Sequence, residues 1–196
     1  MYYSIAAQPN AKLRVIIVHG IIRNQHGFIL RHYQTLRSAA GDSLLLGCNT
    51  IGHLGAGLFE IQRTGDDTSG RIWERTRRMG VNTLAYRLPQ NGAFFVCDAD
   101  CAAHTGRTPW EFDRQYLDLV ARSGTALFIS VDPRTVSPEQ KEAFRTALQT
   151  ALSGGAPGGS EPLDWLHTTV PREWRLGNRT VTFHWEEAAG ADPMKV

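Results

Sequence analysis

A charged loop between an apolar strand and a helical segment decides the fold predicted for this chain. The loop has the sequence Arg63-Thr64-Gly65-Asp66-Asp67-Thr68-Ser69-Gly70. It follows the apolar run 58–61 and precedes the helix-like segment 71–75. A carboxyl group beside a second carboxylate is disfavoured from ionising, so one of the two can hold a proton near neutral pH. The loop therefore predicts a proton-transfer site; the alternative is that Asp66 and Asp67 cap the following helix.

Apolar strands alternate with amphipathic helices on both sides of this loop. Strands are predicted over 13–18, 44–46, 58–63, 93–96 and 126–131. Helices are predicted over 29–40, 71–79, 109–123 and 138–152, with Gly80 closing the second of them. The segment 82–86 is predicted to be a short strand or an extended connection. This alternation predicts right-handed crossovers and a parallel sheet covered by helices, which is an α/β fold.

Two of the helices begin with capping signals. Thr108 is followed by a proline and by Glu111, which is placed for a capping box. Ser137 is followed by the same pattern, with Gln140 in the reciprocal position. These signals fix where the last two helices of the sheet region begin.

Polar side chains collect where the predicted strands end. They are Cys48 and Asn49, then Arg63, Asp66 and Asp67, then Asp98 and Asp100, then Asp132. Because the carboxyl ends of parallel strands share one rim, these groups are predicted to meet there. The rim is therefore the candidate site.

The composition of the chain changes after residue 153. Residues 154–162 are rich in glycine and proline and predict a flexible linker. Beyond them, Gly177-Asn178 lies between two strand-like runs and predicts a β-hairpin. The predicted organisation is an N-terminal segment of uncertain origin (1–25), an α/β region (26–153), the linker, and a β segment (163–196).

Composition restricts the class of protein. The 196 residues carry a formal net charge of +2, which gives no electrostatic footprint for nucleic acid. The one basic cluster has helical spacing and predicts a solvated helix face: Arg71, Arg75, Arg77 and Arg78. Three cysteines favour a reducing compartment, and neither a membrane span nor a signal peptide is evident. We expect a cytoplasmic protein without cofactors.

Four motifs in the same order resemble α-galactosidase-like glycoside hydrolases, families 27 and 36. Arg63 and Asp67 resemble the acid–base strand of these enzymes, and 97–101 resembles their Asn-Asp-Pro-Asp-Cys motif. The run 127–132 is similar to their eighth barrel strand, and 45–48 to their fifth. The resemblance covers residues 26–152 and implies the C-terminal half of a (β/α)₈ barrel, about strands 4 to 8. The hairpin resembles the start of the β domain that follows the barrel.

The resemblance implies a retaining glycosidase that hydrolyses terminal α-galactosides. Asp67 would be the acid–base residue, and Arg63 would hold a sugar hydroxyl or orient Asp67. Cys48 and Asn49 would contact the sugar, and Asp66 would belong to the same binding site. The family's nucleophile lies in a Lys-x-Asp motif, which none of Lys12, Lys141 and Lys195 begins. We therefore expect a fragment of the barrel that is inactive alone.

Three further hypotheses follow from the residues. Cys97, Cys101 and His104 have spacing that zinc ligands also show, although a closed site needs four ligands. Without a nucleophile, the chain could be a non-catalytic sugar-binding or structural remnant. A partial barrel also leaves sheet edges unpaired, which predicts self-association. A carbohydrate is the expected partner, and neither nucleic acid nor membrane is expected.

Overall fold

The computed structural model describes residues 4–5, 15–19 and 26–185. Its main element is a six-stranded sheet in the order β1-β6-β5-β4-β3-β2. The strands are β1 (Ser4–Ile5), β2 (Val15–His19), β3 (Leu44–Cys48), β4 (Ile61–Arg63), β5 (Val96–His104) and β6 (Ala126–Val131). Strands β2 to β6 are parallel to one another, and β1 is antiparallel to β6. The predicted parallel α/β sheet is confirmed, whereas its closure into a barrel stays a prediction.

Helices cover this sheet along most of the chain. They are α1 (His26–Ala40), α2 (Gly52–Gly55), α3 (Trp73–Arg75), α4 (Asn82–Arg87), α5 (Trp110–Ser123) and α6 (Pro138–Leu152). A π-helical turn (Thr76–Val81) joins α3 to α4, and a 3₁₀ turn (Leu88–Gln90) follows α4. No helix within the described ranges has the length and apolar character that crossing a bilayer requires.

The prediction of a strand or extended connection over 82–86 is wrong, because this segment is α4. Gly80 does not end the preceding helix. It serves packing, since a Cβ atom on Gly80 would lie 2.6 Å from the hydroxyl oxygen of Tyr116. The helix continues because Leu84 and Ala85 bury their side chains in the core.

The two capping predictions had different outcomes. The box at Ser137 is confirmed: its hydroxyl accepts from Gln140 N at 3.2 Å, and Gln140 Oε1 accepts from Ser137 N at 2.8 Å. The box at Thr108 is wrong, because α5 begins after Pro109. The Thr108 hydroxyl instead lies 2.6 Å from a carboxylate oxygen of Asp113. The buried Asp113 carboxylate therefore binds the Thr108 hydroxyl, which the sequence predicts to cap the helix.

The predicted solvated face of four arginines is wrong for Arg77. Its guanidinium is buried and donates two hydrogen bonds of 2.8 Å to Glu74, which is buried as well. Arg75 is directed to Asp66, at 2.8 Å. Arg78 is the one of these three that is exposed, and it also pairs with Glu74. The helical spacing alone did not reveal that Glu74 of α3 and Asp66 of the preceding loop pair with these arginines.

A separate three-stranded antiparallel sheet follows α6. It consists of β7 (Ser160–Pro162), β8 (Glu173–Leu176) and β9 (Arg179–Thr182), in that order. The predicted hairpin is confirmed as β8–β9, and part of the predicted flexible linker is β7. Trp174 and Leu176 of β8 pack in the same hydrophobic cluster as α5 and α6. The predicted division into domains stays a prediction, and residues 186–196 of its last segment lie outside the described chain.

Candidate functional site

Strand register sets the level of the candidate site. Arg63, the last residue of β4, is paired with Asp98 of β5, and Gln62 is paired with Gly47, next to Cys48. The ends of β3 and β4 are therefore level with the first part of β5. Asp98 and Asp100 do not follow a strand as predicted; they lie inside β5, which continues to His104.

The predicted strand 93–96 is wrong except at Val96, because 92–94 form a turn and β5 runs from Val96 to His104. The loop 64–70 explains why β5 continues so far. Thr64 N donates to Asp98 O at 2.9 Å, and the Thr68 hydroxyl donates to Cys101 O at 2.7 Å. The loop thus runs beside β5 and supplies hydrogen-bond partners beyond the end of β4. The register of β5 against β6 shifts between Asp98 and Cys101, which marks a bulge at Asp100.

Arg63 is the centre of the cluster. Its guanidinium donates to the Cys48 sulfur at 3.3 Å and to the Asp67 carboxylate, and it lies 3.4 Å from Asp100 Oδ2. The side chain is only 9% exposed. Burial alone would lower the pKa of Arg63, but the two carboxylates raise it overall. The guanidinium therefore stays charged and fixes the groups around it.

Asp66 and Asp67 are adjacent in sequence but have different partners. Asp67 pairs with Arg63 and leaves its side chain 63% exposed. Asp66 accepts from Asp67 N at 2.8 Å and from Arg75 at 2.8 Å. The backbone hydrogen bond from Asp67, followed by Arg75, lowers the pKa of Asp66. The hypothesis that one of this pair holds a proton therefore finds no support at Asp66.

Asp98 is the carboxyl group suited to hold a proton. It is 3% exposed, and its Oδ1 accepts from Asp100 N at 2.8 Å. Burial, reinforced by the neighbouring charge of Asp100, raises the pKa of Asp98 to about 7. Sequence reasoning placed Asp98 in the site and missed this property. The available signal was the position of Asp98 directly after the apolar run 93–97.

The remaining predicted site residues lie at two different levels. Cys48 is buried at the end of β3, and the exposed Asn49 follows it with a positive φ of 53°. Asp132 is not part of the cluster. It follows β6, which ends level with His104, beyond Asp100. Its carboxylate pairs with Arg134 at 2.8 Å, which lowers the pKa of Asp132 to about 2.

A buried polar network lies at the far end of β5. His104 Nδ1 is 2.7 Å from Asp113 Oδ2, and His104 Nε2 is 3.1 Å from Gln140 Nε2. This network joins β5 to the first turns of α5 and α6. Both ring nitrogens of His104, which the zinc hypothesis counts as a ligand, therefore have partners within the protein.

The cysteines of the zinc hypothesis do not face each other. Cys97 lies 3.5 Å from the Arg87 carbonyl oxygen, whereas Cys101 packs with Cys48 in a different cluster. Across the part of the chain that the structure describes, no group of three or more His, Cys, Asp or Glu residues is placed to hold a metal ion. Nothing in this geometry supports a zinc site.

Comparison with known proteins identifies the fold. No family model matches the chain, and no curated protein matches it in sequence. Among solved structures, the chain is similar to an α-galactosidase from Thermus thermophilus in complex with p-nitrophenyl α-D-galactopyranoside, with a TM-score of 0.57 and 20% identity. The match covers 80% of this chain and 33% of that enzyme, so the chain spans about a third of its length. The chain therefore has an α-galactosidase-like fold.

Proposed function

We propose that this chain is the C-terminal half of a retaining glycosidase barrel that hydrolyses terminal α-galactosides when the barrel is complete. The observation that carries the proposal is the Arg63–Asp67 pair at the end of β4, beside Cys48 of β3. The α-galactosidase-like fold supports it. In open and closed parallel sheets alike, ligands bind beyond the carboxyl ends of the strands.

Asp67 takes the acid–base role in this proposal. Its carboxyl group is exposed at the rim, so a glycosidic oxygen can approach it. It would donate a proton to the leaving group and later remove one from the attacking water. Arg63 orients Asp67 and, with Cys48 and the exposed Asn49, contacts sugar hydroxyl groups.

The second carboxyl group must come from another polypeptide segment. A retaining mechanism needs a nucleophile about 5 Å from the acid–base residue. Asp66 is bound to Arg75, Asp98 is buried, and Asp100 accepts from Thr68 N at 2.6 Å. Each of these carboxyl groups is buried or hydrogen-bonded to a protein group, so none can act as the nucleophile on a sugar opposite Asp67. This chain alone is therefore proposed to be inactive.

A complementation assay tests the proposal. The purified chain is assayed with p-nitrophenyl α-D-galactopyranoside, alone and after co-refolding with an N-terminal half barrel that carries a Lys-x-Asp strand. We expect no nitrophenol release from the chain alone and measurable release from the complex. In the complex, Asp67→Asn should reduce kcat by about 100-fold or more, because general acid–base catalysis is lost. Asp132→Asn is the matched control and should keep full activity.

Two outcomes would contradict the proposal. Turnover by the isolated chain that Asp67→Asn abolishes would overturn the half-barrel argument. A soluble, folded complex without activity would reject the α-galactosidase assignment.

A non-catalytic sugar-binding protein is the second candidate. Two observations favour it. Asp67 and Asn49 are exposed, whereas Asp66, Asp98 and Asp100 are buried or bound to protein groups. It predicts weak, saturable binding of galactose by the isolated chain, which Asp67→Asn weakens. Nuclear magnetic resonance titration with galactose measures this binding, and an absence of saturation would remove this candidate.

A further inference from the structure

A cavity of about 340 Å³ lies on the helix-covered face of the sheet, over β4. Gln62 faces it, and Gln62 Nε2 donates to Gly47 O at 3.1 Å. Arg63 and Thr64 also line the cavity, and the Arg63 guanidinium is directed to Cys48 and Asp67. The cavity therefore adjoins the proposed glycosidase site and shares Arg63 with it.

The cavity has one wall near α2 and another around the turn that follows α4. Thr50, Gly52 and His53 belong to the first wall. Arg87, Gln90 and Phe94 belong to the second. The volume is within the range of small-molecule sites in proteins, about 300 to 1,000 Å³.

The electrostatic character of the cavity is positive. None of its lining residues is an aspartate or glutamate. Arg87 is exposed and forms no ion pair with any other residue that the structure describes. The positive charge of Arg87 also acts on the Cys97 thiol. Burial raises the pKa of this thiol to about 11, and the charge of Arg87 opposes the rise. An anion entering the cavity would meet an uncompensated guanidinium.

The second wall is held in place before any ligand binds. Asn91 accepts from Cys97 N at 2.9 Å and donates to Gly124 O at 3.1 Å. Gly92 N donates to Phe95 O at 2.9 Å, which closes the turn. Phe94 is 57% exposed on this turn and its ring lies 6.3 Å from that of Phe95, so much of its side chain is open to an apolar group of a ligand. Preorganisation of this kind lowers the entropic cost of binding.

We propose that this cavity binds a small organic anion, a carboxylate or a phosphate ester that carries a flat apolar group. The Arg87 guanidinium holds the oxyanion, and Gln90 donates a further hydrogen bond. Phe94 packs against the apolar group. The proposal does not depend on glycosidase activity, because Arg87, Gln90 and Phe94 have no part in the proposed glycosidase site.

Titration with defined probes tests the site. Phenyl phosphate and benzoate are added to the full chain, with benzyl alcohol as the uncharged probe, and amide shifts are followed by nuclear magnetic resonance. We expect saturable shifts around residues 87–95 with both anions, and the tighter of the two identifies the preferred oxyanion. Arg87→Gln should weaken anion binding by about 10-fold, because a charge-assisted hydrogen bond is lost. Phe94→Ala should weaken binding of both anions by several fold.

The control is Arg107→Gln, which removes the same charge from an exposed loop outside the cavity. Anion affinity should change by less than twofold in this variant. Equal losses in the two arginine variants, equal affinity for benzyl alcohol, or shifts that do not saturate would each overturn the proposal. The titration uses the isolated chain and needs no turnover, so failure of the proposed function is distinguishable from failure of this site.

Discussion

Arg63 shows how one side chain joins three parts of the sheet region. It contacts β3 through Cys48, its own loop through Asp67, and β5 through Asp100. A buried charge is tolerated only when it is paired, and ion pairs in the interior contribute little net stability. Arg63 Nε is buried without a hydrogen-bond partner in the described structure. A position kept at this cost is typical of a functional site.

Asp98→Asn tests the buried carboxyl group at the residue scale. The pKa of Asp98 is raised in the folded protein, to about 7 from an ordinary value of 3.8. Its contribution to stability is therefore present below the unfolded pKa and is lost as the pH rises towards 7. We expect the variant to gain stability relative to wild type by roughly 3 kcal/mol between pH 5 and pH 8. Urea denaturation at the two pH values measures this difference.

Asp132→Asn is the control for this experiment. The pKa of the exposed Asp132 is lowered to about 2, below the pH range of the measurement. The stability difference between this variant and wild type should therefore be the same at both pH values. A constant difference for Asp98→Asn as well would show that Asp98 is ionised in the folded protein at pH 5.

At the scale of elements, the loop 64–70 extends the short β4 along β5. Gly70 ends this loop with a positive φ of 67° and lies against the backbone of Ala103. A Cβ atom there would be 2.8 Å from Ala103 O. The Gly70 carbonyl oxygen in turn accepts from the Thr105 hydroxyl at 2.6 Å. The geometry of the candidate site therefore depends on a close backbone approach that only glycine permits.

Gly70→Ala tests this dependence against Gly106→Ala. Both glycines have positive φ, but a Cβ atom on Gly106 would meet nothing within 4 Å. Gly106→Ala should lower the free energy of unfolding by about 1 kcal/mol, the cost of the left-handed conformation. Gly70→Ala should lower it by about 3 kcal/mol or more, because the loop must also move away from β5. Similar losses from chemical denaturation would show that the close approach is absent.

At the scale of the whole molecule, one hydrophobic cluster joins the main sheet's helices to the C-terminal sheet. Trp174 of β8 is fully buried in it, and its ring nitrogen donates to Pro171 O at 3.0 Å. Leu117 and Val120 of α5 belong to the same cluster. Shared apolar burial of this kind couples the unfolding of the parts that share it.

Trp174→Ala is therefore expected to destabilise the whole described chain rather than one sheet. Loss of a buried tryptophan costs about 3 to 5 kcal/mol. Far-ultraviolet circular dichroism and tryptophan fluorescence should report one common transition that moves to lower denaturant. Trp165→Ala is the control, because Trp165 is 38% exposed, and it should have a much smaller effect. Two separate transitions in wild type would contradict a shared core.

The sequence determined the order of elements and the type of most of them. Hydrophobic periodicity located α1 and α5, the capping box at Ser137 located α6, and the turn signal at Gly177-Asn178 located the β8–β9 hairpin, because each signal lies within a few residues. It also placed Arg63 and Asp67 together, since spacing along one loop keeps them close.

Only the tertiary structure decided what these elements share. Packing against other elements determines the length of β5 and the burial of Arg77. It also determines the hydrogen bond between the Thr108 hydroxyl and Asp113. The raised pKa of Asp98 has the same origin, because burial is a property of the packed molecule. Local patterns report conformational preference, whereas solvent exclusion and charge partners arise only when the elements pack.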